Sequence, residues 1–349
     1  VYIDRLSRIP AIMEMPYNDI IRKFIDMYAG RLRNQVSFML SACNFYMPIF
    51  EEALDAYGLP LELRYLPIIE SALNPSAVSR AGASGLWQFM IGTGKIYGLE
   101  SNSLVDERRD PIKATWAAAR YLKEMYDIYG DWNLVIAAYN CGPGTINKAI
   151  RRANGETDYW KIYNYLPKET RGYVPAFIAA NYVMTYYCDH NICPMETNIP
   201  ASTDTVQVNK NLHFEQIADL CNVPLDQIKS LNPQYKKQMI PGDSKPYTLR
   251  LPIDAISTFI DKQDTIYTHR ADELFRNRKT VAVKDITPAT RKTTSAVAGK
   301  GNLTYYTIKS GDTLSTIARK YGVTIKDIQR WNGMSSTKIA AGKRLKIYK

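Results

Sequence analysis

The stretch GLPLELRYLPIIESALNPSAVSRAGASGLWQFM, residues Gly58 to Met90, decides how this chain folds. Leu59, Leu63, Leu66, Glu70 and Leu73 recur at three- and four-residue steps, the spacing of one helix face. Glu70 therefore takes a slot where an aliphatic side chain is expected. A carboxyl turned toward an apolar core is disfavoured in its charged form, so its pKa rises. A proton held near neutral pH is what a general acid needs. The plain alternative is that Glu70 ends the helix and bends out to water. Periodicity alone leaves the two readings level.

Downstream, Asn74-Pro75 to Ser84 is a small-residue loop in which Gly82 and Gly85 allow close backbone approach. Gly85-Leu86-Trp87-Gln88-Phe89-Met90 sets one amide among large apolar groups, the make-up of a sugar-binding cleft and also of many cores. Asp110-Pro111 is a helix start, an acidic N-cap followed by proline, and that helix stops near Gly130. Another helix runs from Asp131 to Tyr139-Asn140, where Cys141-Gly142-Pro143-Gly144 forces a turn. Asn140 reads equally as a functional polar group and as a C-cap. Glu169 and Tyr173 lie four residues apart on one helical face. Upstream, residues 1 to about 57 read as helical, with an amphipathic run from Tyr17 closed by Gly58, and carry no identifiable chemistry. Strand signals are nearly absent before residue 200.

Beyond Ile199-Pro200 the pattern changes to a repeat. Val208, Ile217-Ala218, Val223, Ile228 and Asn232 recur 100 positions later, without a gap, as Ile308, Ile317-Ala318, Val323, Ile328 and Asn332. Each copy ends in a Gly and a short apolar strand, giving two small strand–helix–helix–strand modules. Between them RNRKTVAVKDITPATRKTTSAVAGKGN has few apolar anchors and reads as a basic flexible linker.

Composition bounds the rest. The 349 residues are 46% hydrophobic, enough for two or more globular domains. No apolar run approaches the ~20 residues needed to span a bilayer. VYIDRLSRIP has neither a basic n-region nor an apolar h-region. A net charge of +11 favours an anionic partner or surface, but Lys and Arg are spread along the chain without a nucleic-acid motif. Cys43, Cys141, Cys188, Cys193 and Cys221 form no C-x-x-C pair and read mostly as small buried side chains, although Cys188 and Cys193 could close a loop under oxidising conditions. His190, His213 and His269 lack ligand spacing, so neither metal nor cofactor is expected.

ESALNPSAVSRAGASGLWQFM, AYNCGPG and ETRGYVPAF, in that order, resemble the goose-lysozyme-like lytic murein transglycosylases, and most closely the membrane-bound lytic murein transglycosylase D family, over roughly residues 15 to 195. Gly311-Asp312-Thr313-Leu314 with IARKYGV and IQRWNG resembles a LysM peptidoglycan-binding module. The first copy has Asn211-Leu212-His213-Phe214 at that turn and is a divergent LysM. The resemblance implies a mainly α, lysozyme-like (α+β) catalytic domain followed by two small α+β LysM (βααβ) modules. The expected domains are residues 1–200, a LysM-like module at 201–253, a basic linker at 254–302 and a LysM module at 303–349. It places the catalytic acid on Glu70, with substrate contacts on Ser71, Ser79, Gly85, Gln88, Met90, Tyr139, Asn140, Glu169 and Tyr173. Glycan contacts of the second module fall on Gly311, Asp312, Thr313, Leu314, Asn332 and Ile339. Ile91 stands where many relatives carry proline.

Ordinary glycosidases use two carboxyls about 5 to 9.5 Å apart. Around Glu70 the motifs supply no second acid, and Asp106, Glu107 and Asp110 read as solvating and capping groups. The family resemblance implies a single-carboxyl mechanism on peptidoglycan that yields 1,6-anhydro-muramyl ends, with Tyr139 or Asn140 assisting the acetamido group. Glu169 either contacts substrate or pairs with Arg171 or a nearby Lys. The competing functions are a hydrolytic goose-type muramidase, a non-catalytic wall-binding scaffold and a chitinase. The expected partners are glycan strands and an anionic envelope surface, not nucleic acid. The protein is expected to be a monomer in the periplasm or cell envelope, lipid-anchored to the outer membrane in its precursor.

Overall fold

A computed structural model of the chain describes residues 1–197, 199–200, 202–276, 303–309, 312–332, 334, 337, 339–340 and 342–348. It divides into two compact units, Val1–Ile286 and Thr287–Lys349.

The first unit opens with α1 (Tyr2–Ser7), α2 (Asp19–Ala29) and α3 (Arg33–Ala56). The amphipathic run expected from Tyr17 to Gly58 is thus two helices. At Gly30 a Cβ would sit 2.8 Å from the Asp26 carbonyl oxygen, so only glycine fits where the chain turns. Asn18 caps α2, its side chain accepting the Ile20 and Ile21 N–H groups at 3.0 Å.

The Glu70 stretch is a 3-10 turn, Leu61–Tyr65, running into α4 (Leu66–Ser71), not one continuous helix. Pro67 has no N–H to extend the α-helical ladder backward. The periodicity nevertheless reported the core: Leu59, Leu63, Leu66 and Leu73 are all buried. Ala72 and Leu73 then take left-handed backbone, φ 52° and 58°, which ends α4 abruptly one residue past Ser71.

Next come α5 (Ile91–Ile96), α6 (Pro111–Tyr129), α7 (Trp132–Cys141), α8 (Pro143–Arg152), α9 (Tyr159–Ile162), α10 (Lys168–Arg171) and α11 (Tyr173–Tyr186). Asp110 caps α6 as expected, accepting the Ile112 and Lys113 N–H groups at 2.9 and 3.0 Å. α11 is apolar almost all round and packs against α2, α4 and α7, which makes it the axis of the helical core.

The first repeat follows within the same unit. β1 (Thr203–Val208) pairs antiparallel with β4 (Tyr247–Pro252), and β2 (Asn211–His213) pairs with β3 (Met239–Pro241), around α12 (Phe214–Cys221) and α13 (Leu225–Leu231). The expected linker from 254 does not begin there. Residues 253–274 form α14 (Ile253–Asp261), α15 (Gln263–Thr268) and α16 (Ala271–Leu274). Ala255, Phe259, Ile266 and Tyr267 anchor these helices in the module's own core. That core also takes in Leu104 and Val105 from the helical region. Val105 forms an antiparallel bridge with Tyr235, and the Asp106 and Lys236 N–H groups donate to the Gln234 and Leu104 carbonyls at 2.8 Å.

In the second unit, β5 (Leu303–Thr307) pairs antiparallel with β6 (Arg344–Tyr348), packed by α17 (Leu314–Tyr321) and α18 (Ile325–Asn332) over Ile308, Leu314, Ile317, Ile328, Leu345 and Ile347. One device recurs in both repeats. The Asn232 amide donates to the Ile228 and Arg250 carbonyls and accepts the Arg250 N–H. Asn332 does the same with Ile328 and Lys346. Each asparagine latches a helix end to the closing strand.

Among the described residues no helix is long and apolar enough to cross a membrane. All five cysteines are free, and only Cys221 is buried; Cys188 and Cys193 are exposed beyond the end of α11.

Candidate active site

Glu70 lies in the last turn of α4, facing a cavity of about 440 Å³. Part of its surface stays open to this cavity, yet burial is the main influence on its carboxyl and pushes the pKa up to about 7. A hydrogen bond from the Tyr173 hydroxyl to Oε1 works in the opposite direction, favouring the charged form. The carboxyl is therefore neither bent out to water nor paired with a cation. It is poised to hold a proton near neutral pH and to give it up.

Ser71, Ser79 and Gln88 line the same cavity. The Ser71 hydroxyl donates to the Pro67 and Leu86 carbonyls at 3.0 and 2.9 Å, tying α4 to the Gly85–Met90 turn. Ser79 Oγ accepts the Ala83 N–H at 3.0 Å and shapes the loop between them. Gln88 has left-handed backbone, φ 49°, and its amide donates to the Gly85 carbonyl at 2.8 Å. Together with Ala72 and Leu73, this puts three non-glycine left-handed residues beside the carboxyl, the kind of strain that gathers where side chains must be aimed.

Gly85 forms the back of this wall and does not line the cavity. A Cβ there would lie 1.8 Å from the Arg108 carbonyl oxygen. Met90 is 45% exposed at the outer edge of the turn. Tyr139 is turned inward, its hydroxyl donating to the Trp87 carbonyl at 2.7 Å. Burial and the nearby Glu70 hold the phenols of Tyr139 and Tyr173 well above their ordinary pKa, so both remain donors. Asn140 Oδ1 accepts the Thr170 hydroxyl at 3.0 Å, which fixes the amide without engaging its NH2 group. The Glu169 carboxylate is exposed and makes no ion pair among the described residues. Arg171 is instead committed to the Leu166 and Asn164 carbonyls, so the structural salt bridge is not formed.

Among the described residues Glu70 is the only carboxyl lining the cavity. Asp106 and Glu107, expected to be solvated, are buried. Asp106 grips Arg108 through two 2.8 Å bonds, and Glu107 accepts the Glu100 N–H at 2.8 Å and pairs with Lys113. Asp110 is a helix cap, as expected.

The opposite wall comes from the N-terminal helices, for which sequence indicated no chemistry. Tyr28, Leu32, Gln35 and Met39 line it. A signal was present: these four also step by three or four residues, and Gln35 interrupts the apolar stripe as Glu70 does in its own.

In the second module Gly311 lies outside the described residues. The Asp312 carboxylate accepts the Tyr306 hydroxyl and the Lys309 N–H, both at 2.8 Å, and these bonds hold it below the usual carboxylate range. Thr313 caps α17, and Leu314 is buried in the core. Asn332 and Ile339 line a separate cavity of about 410 Å³. Asp312, Thr313 and Leu314 build the turn and do not line that cavity; Asn332 and Ile339 do.

Comparison with known proteins agrees with this layout. Residues 47–162 match the transglycosylase SLT domain, 202–268 the LysM-like domain of the lytic transglycosylase MltD, and 306–347 the LysM domain. The chain is similar to the membrane-bound lytic murein transglycosylase D of Escherichia coli (strain K12), 32% identical over 339 residues, 96% of this chain and 70% of that one. It is also similar to the soluble lytic murein transglycosylase of the same strain, 33% identical over 124 residues, 34% of this chain and 19% of that one. Among solved structures, the 70 kDa soluble lytic transglycosylase from Escherichia coli aligns at 29% identity over 41% of this chain and 24% of that one, with a TM-score of 0.36.

Proposed function

Because this chain belongs to the membrane-bound lytic murein transglycosylase D family, a group of peptidoglycan-degrading transglycosylases, we propose that it cleaves the glycan strand without water, as a polysaccharide lyase. The bond is the β-1,4 link from N-acetylmuramic acid to N-acetylglucosamine. Glu70 gives its proton to the glycosidic oxygen as that bond breaks. The substrate's own acetamido group stabilises the charge developing at the muramyl C1, as in substrate-assisted glycosidases. Glu70, now ionised, takes the proton from the muramyl C6 hydroxyl, whose oxygen closes on C1. The products are a free N-acetylglucosamine end and a 1,6-anhydro-muramyl end, with no net proton change.

The observation that carries this reading is a single carboxyl, its pKa raised to about 7, in a cavity that offers no second acid among the described residues. An ordinary retaining or inverting hydrolase would call for a second carboxyl to act as nucleophile or base; a substrate-assisted hydrolysis would not, and the products separate it from the lyase. Tyr173 steadies the ionised form of Glu70 between the two proton transfers. Tyr139 and the Asn140 NH2 group orient the acetamido group, while Ser71, Ser79, Gln88 and Met90 shape the cleft, with Gly85 supporting it. Glu169, exposed and unpaired, reaches a more distant part of the strand.

The LysM module holds the enzyme on its polymer and raises the effective concentration of cleavable bonds. Its expected glycan contacts are Asn332 and Ile339, which line the groove, together with the turn residues Asp312, Thr313 and Leu314 and, by the family motif, Gly311. The site of action is the cell envelope, where a net charge of +11 suits an anionic surface. We place the protein there as a monomer, lipid-anchored in its precursor.

Mass spectrometry of muropeptides released from purified sacculi tests the chemistry. Anhydro-muropeptides support it; products heavier by one water identify a hydrolytic muramidase. A protein that binds sacculi and releases nothing is a scaffold.

A further inference from the structure

Arg108 is almost completely enclosed, with 6% of its side chain exposed, and it faces its equally buried partner Asp106. Its remaining donor capacity goes to backbone. Nη1 donates to the Gly82 carbonyl at 2.8 Å and to the Phe89 carbonyl at 3.0 Å, the two ends of the turn that carries Gln88. The Arg108 backbone touches the middle of that turn, since its carbonyl oxygen leaves no room for a Cβ on Gly85. Arg109 adds a bond from Nε to Ser84 Oγ at 3.0 Å. One short segment therefore grips the cleft wall at both ends and from behind.

That segment is itself held from the other side. Residues 104–106 lie along residues 234–236 of the LysM-like module through the Val105–Tyr235 bridge and its two flanking backbone bonds. Lys236 Nζ donates to the Asn102 carbonyl at 2.5 Å. Lys245 pairs with Glu100 at 2.6 Å, and the Tyr247 hydroxyl donates to the same carboxylate. Leu104 and Val105 are buried in the module's core, so their backbone cannot shift without the module. Within the module, the β2–β3 pairing laces the Asn211–His213 turn directly to Met239–Pro241. This closes the turn on its own chain.

We propose that the LysM-like module at 202–268 is a strut of the active site: it fixes Leu104–Asp106, Asp106 fixes Arg108, and Arg108 fixes the Gly82–Phe89 turn that presents Gln88 to the glycan. Asp106 and Arg108 are then positioning residues for the reaction. A buried ion pair is costly to assemble and is a poor source of net stability, so a geometric role accounts for it better than stabilisation does. The proposal rests on Gln88 lining the glycan cleft, as argued above.

The test uses the full chain. Lys236→Met combined with Lys245→Met loosens the module's grip at a site remote from the cavity. Arg108→Lys keeps the charge beside Asp106 but lacks the planar fork whose Nε and Nη2 hold the carboxylate while Nη1 serves both carbonyls. Two quantities are read: amide hydrogen exchange across residues 82–90, and kcat and KM on soluble peptidoglycan fragments. The strut predicts several-fold faster exchange at Ser84, Gly85 and Gln88 and a several-fold higher KM in both proteins, with kcat and the pH profile close to wild type. A purely structural pair would lower the melting temperature and the active fraction and leave KM alone, which overturns the proposal. So does unchanged exchange at 82–90 in Arg108→Lys. The exchange readout needs no turnover, so it separates failure of the strut from failure of Glu70 as the acid, which Glu70→Gln reports.

Discussion

The Tyr173 hydroxyl donates to Glu70 Oε1 across 103 residues of sequence, joining the start of α11 to the end of α4. The bond sets the working range of the carboxyl, because burial raises its pKa and this donor lowers it. Tyr173→Phe removes the lowering influence alone. A hydrogen bond to a charged group contributes about 1.5–3 kcal/mol, which corresponds to ~1 to 2 pH units. Activity requires protonated Glu70 and falls as pH rises through about 7 in the wild type. In Tyr173→Phe that alkaline limb moves up by this amount, measured as kcat/KM against pH.

Glu70→Gln removes the acid and keeps the shape. Loss of a general acid lowers the rate by ~10²- to 10⁴-fold. Release of muropeptides should fall by that factor while sedimentation with sacculi stays near wild type. Equal clearance of peptidoglycan by both proteins would move the acid elsewhere.

The same substitution has a thermodynamic signature. The folded pKa of Glu70 lies above its unfolded value, so between the two the native state binds more protons than the unfolded chain. Stability therefore falls as pH rises through that window. Glutamine carries no such penalty. In thermal melts Glu70→Gln should unfold at a higher temperature than wild type at pH 8, and the gap should narrow as pH falls through about 7 and close below the unfolded value of 4.5.

Asp106→Ala leaves the Arg108 guanidinium buried without its partner. Breaking such a pair costs about 3–5 kcal/mol, read as a lower denaturant midpoint for the first unit.

The paired latches allow a matched comparison. Asn232→Ala leaves buried and half-buried backbone groups unpaired, at about 1–3 kcal/mol, whereas the Asn332 bonds to Lys346 are exposed and Asn332→Ala costs less, about 0.5–1.5 kcal/mol. Only the second should weaken retention on insoluble sacculi, while turnover of soluble fragments stays close to wild type.

Much of this was legible in the sequence, and for identifiable reasons. The buried leucines flanking Glu70 declared themselves by spacing, even though Pro67 divides their helix. Asp110-Pro111 and the repeat offset of 100 residues were equally plain, because caps and latches depend on near neighbours. What escaped was non-local. Tyr28 and Gln35 reach the cavity only because α2 packs on α11 and α3 on the Leu61–Tyr65 turn, elements distant in sequence. The run Asp106-Glu107-Arg108 looks solvated in one dimension, and it is interior only because distant segments, the Gly82–Phe89 turn, Lys113 and the LysM-like module, close around it. Residues 254–276 looked like the beginning of the linker because their few apolar anchors are meaningful only against the core that receives them.

The burial of Leu104 and Val105 in the core of the LysM-like module has a practical corollary. A protein truncated after residue 200 would uncover both side chains and leave the 104–106 backbone without its pairing partners. The smallest self-sufficient catalytic fragment is therefore longer than its helical portion. It extends at least through Tyr267, and the point at which the chain can be cut without injury lies after the first repeat, not before it.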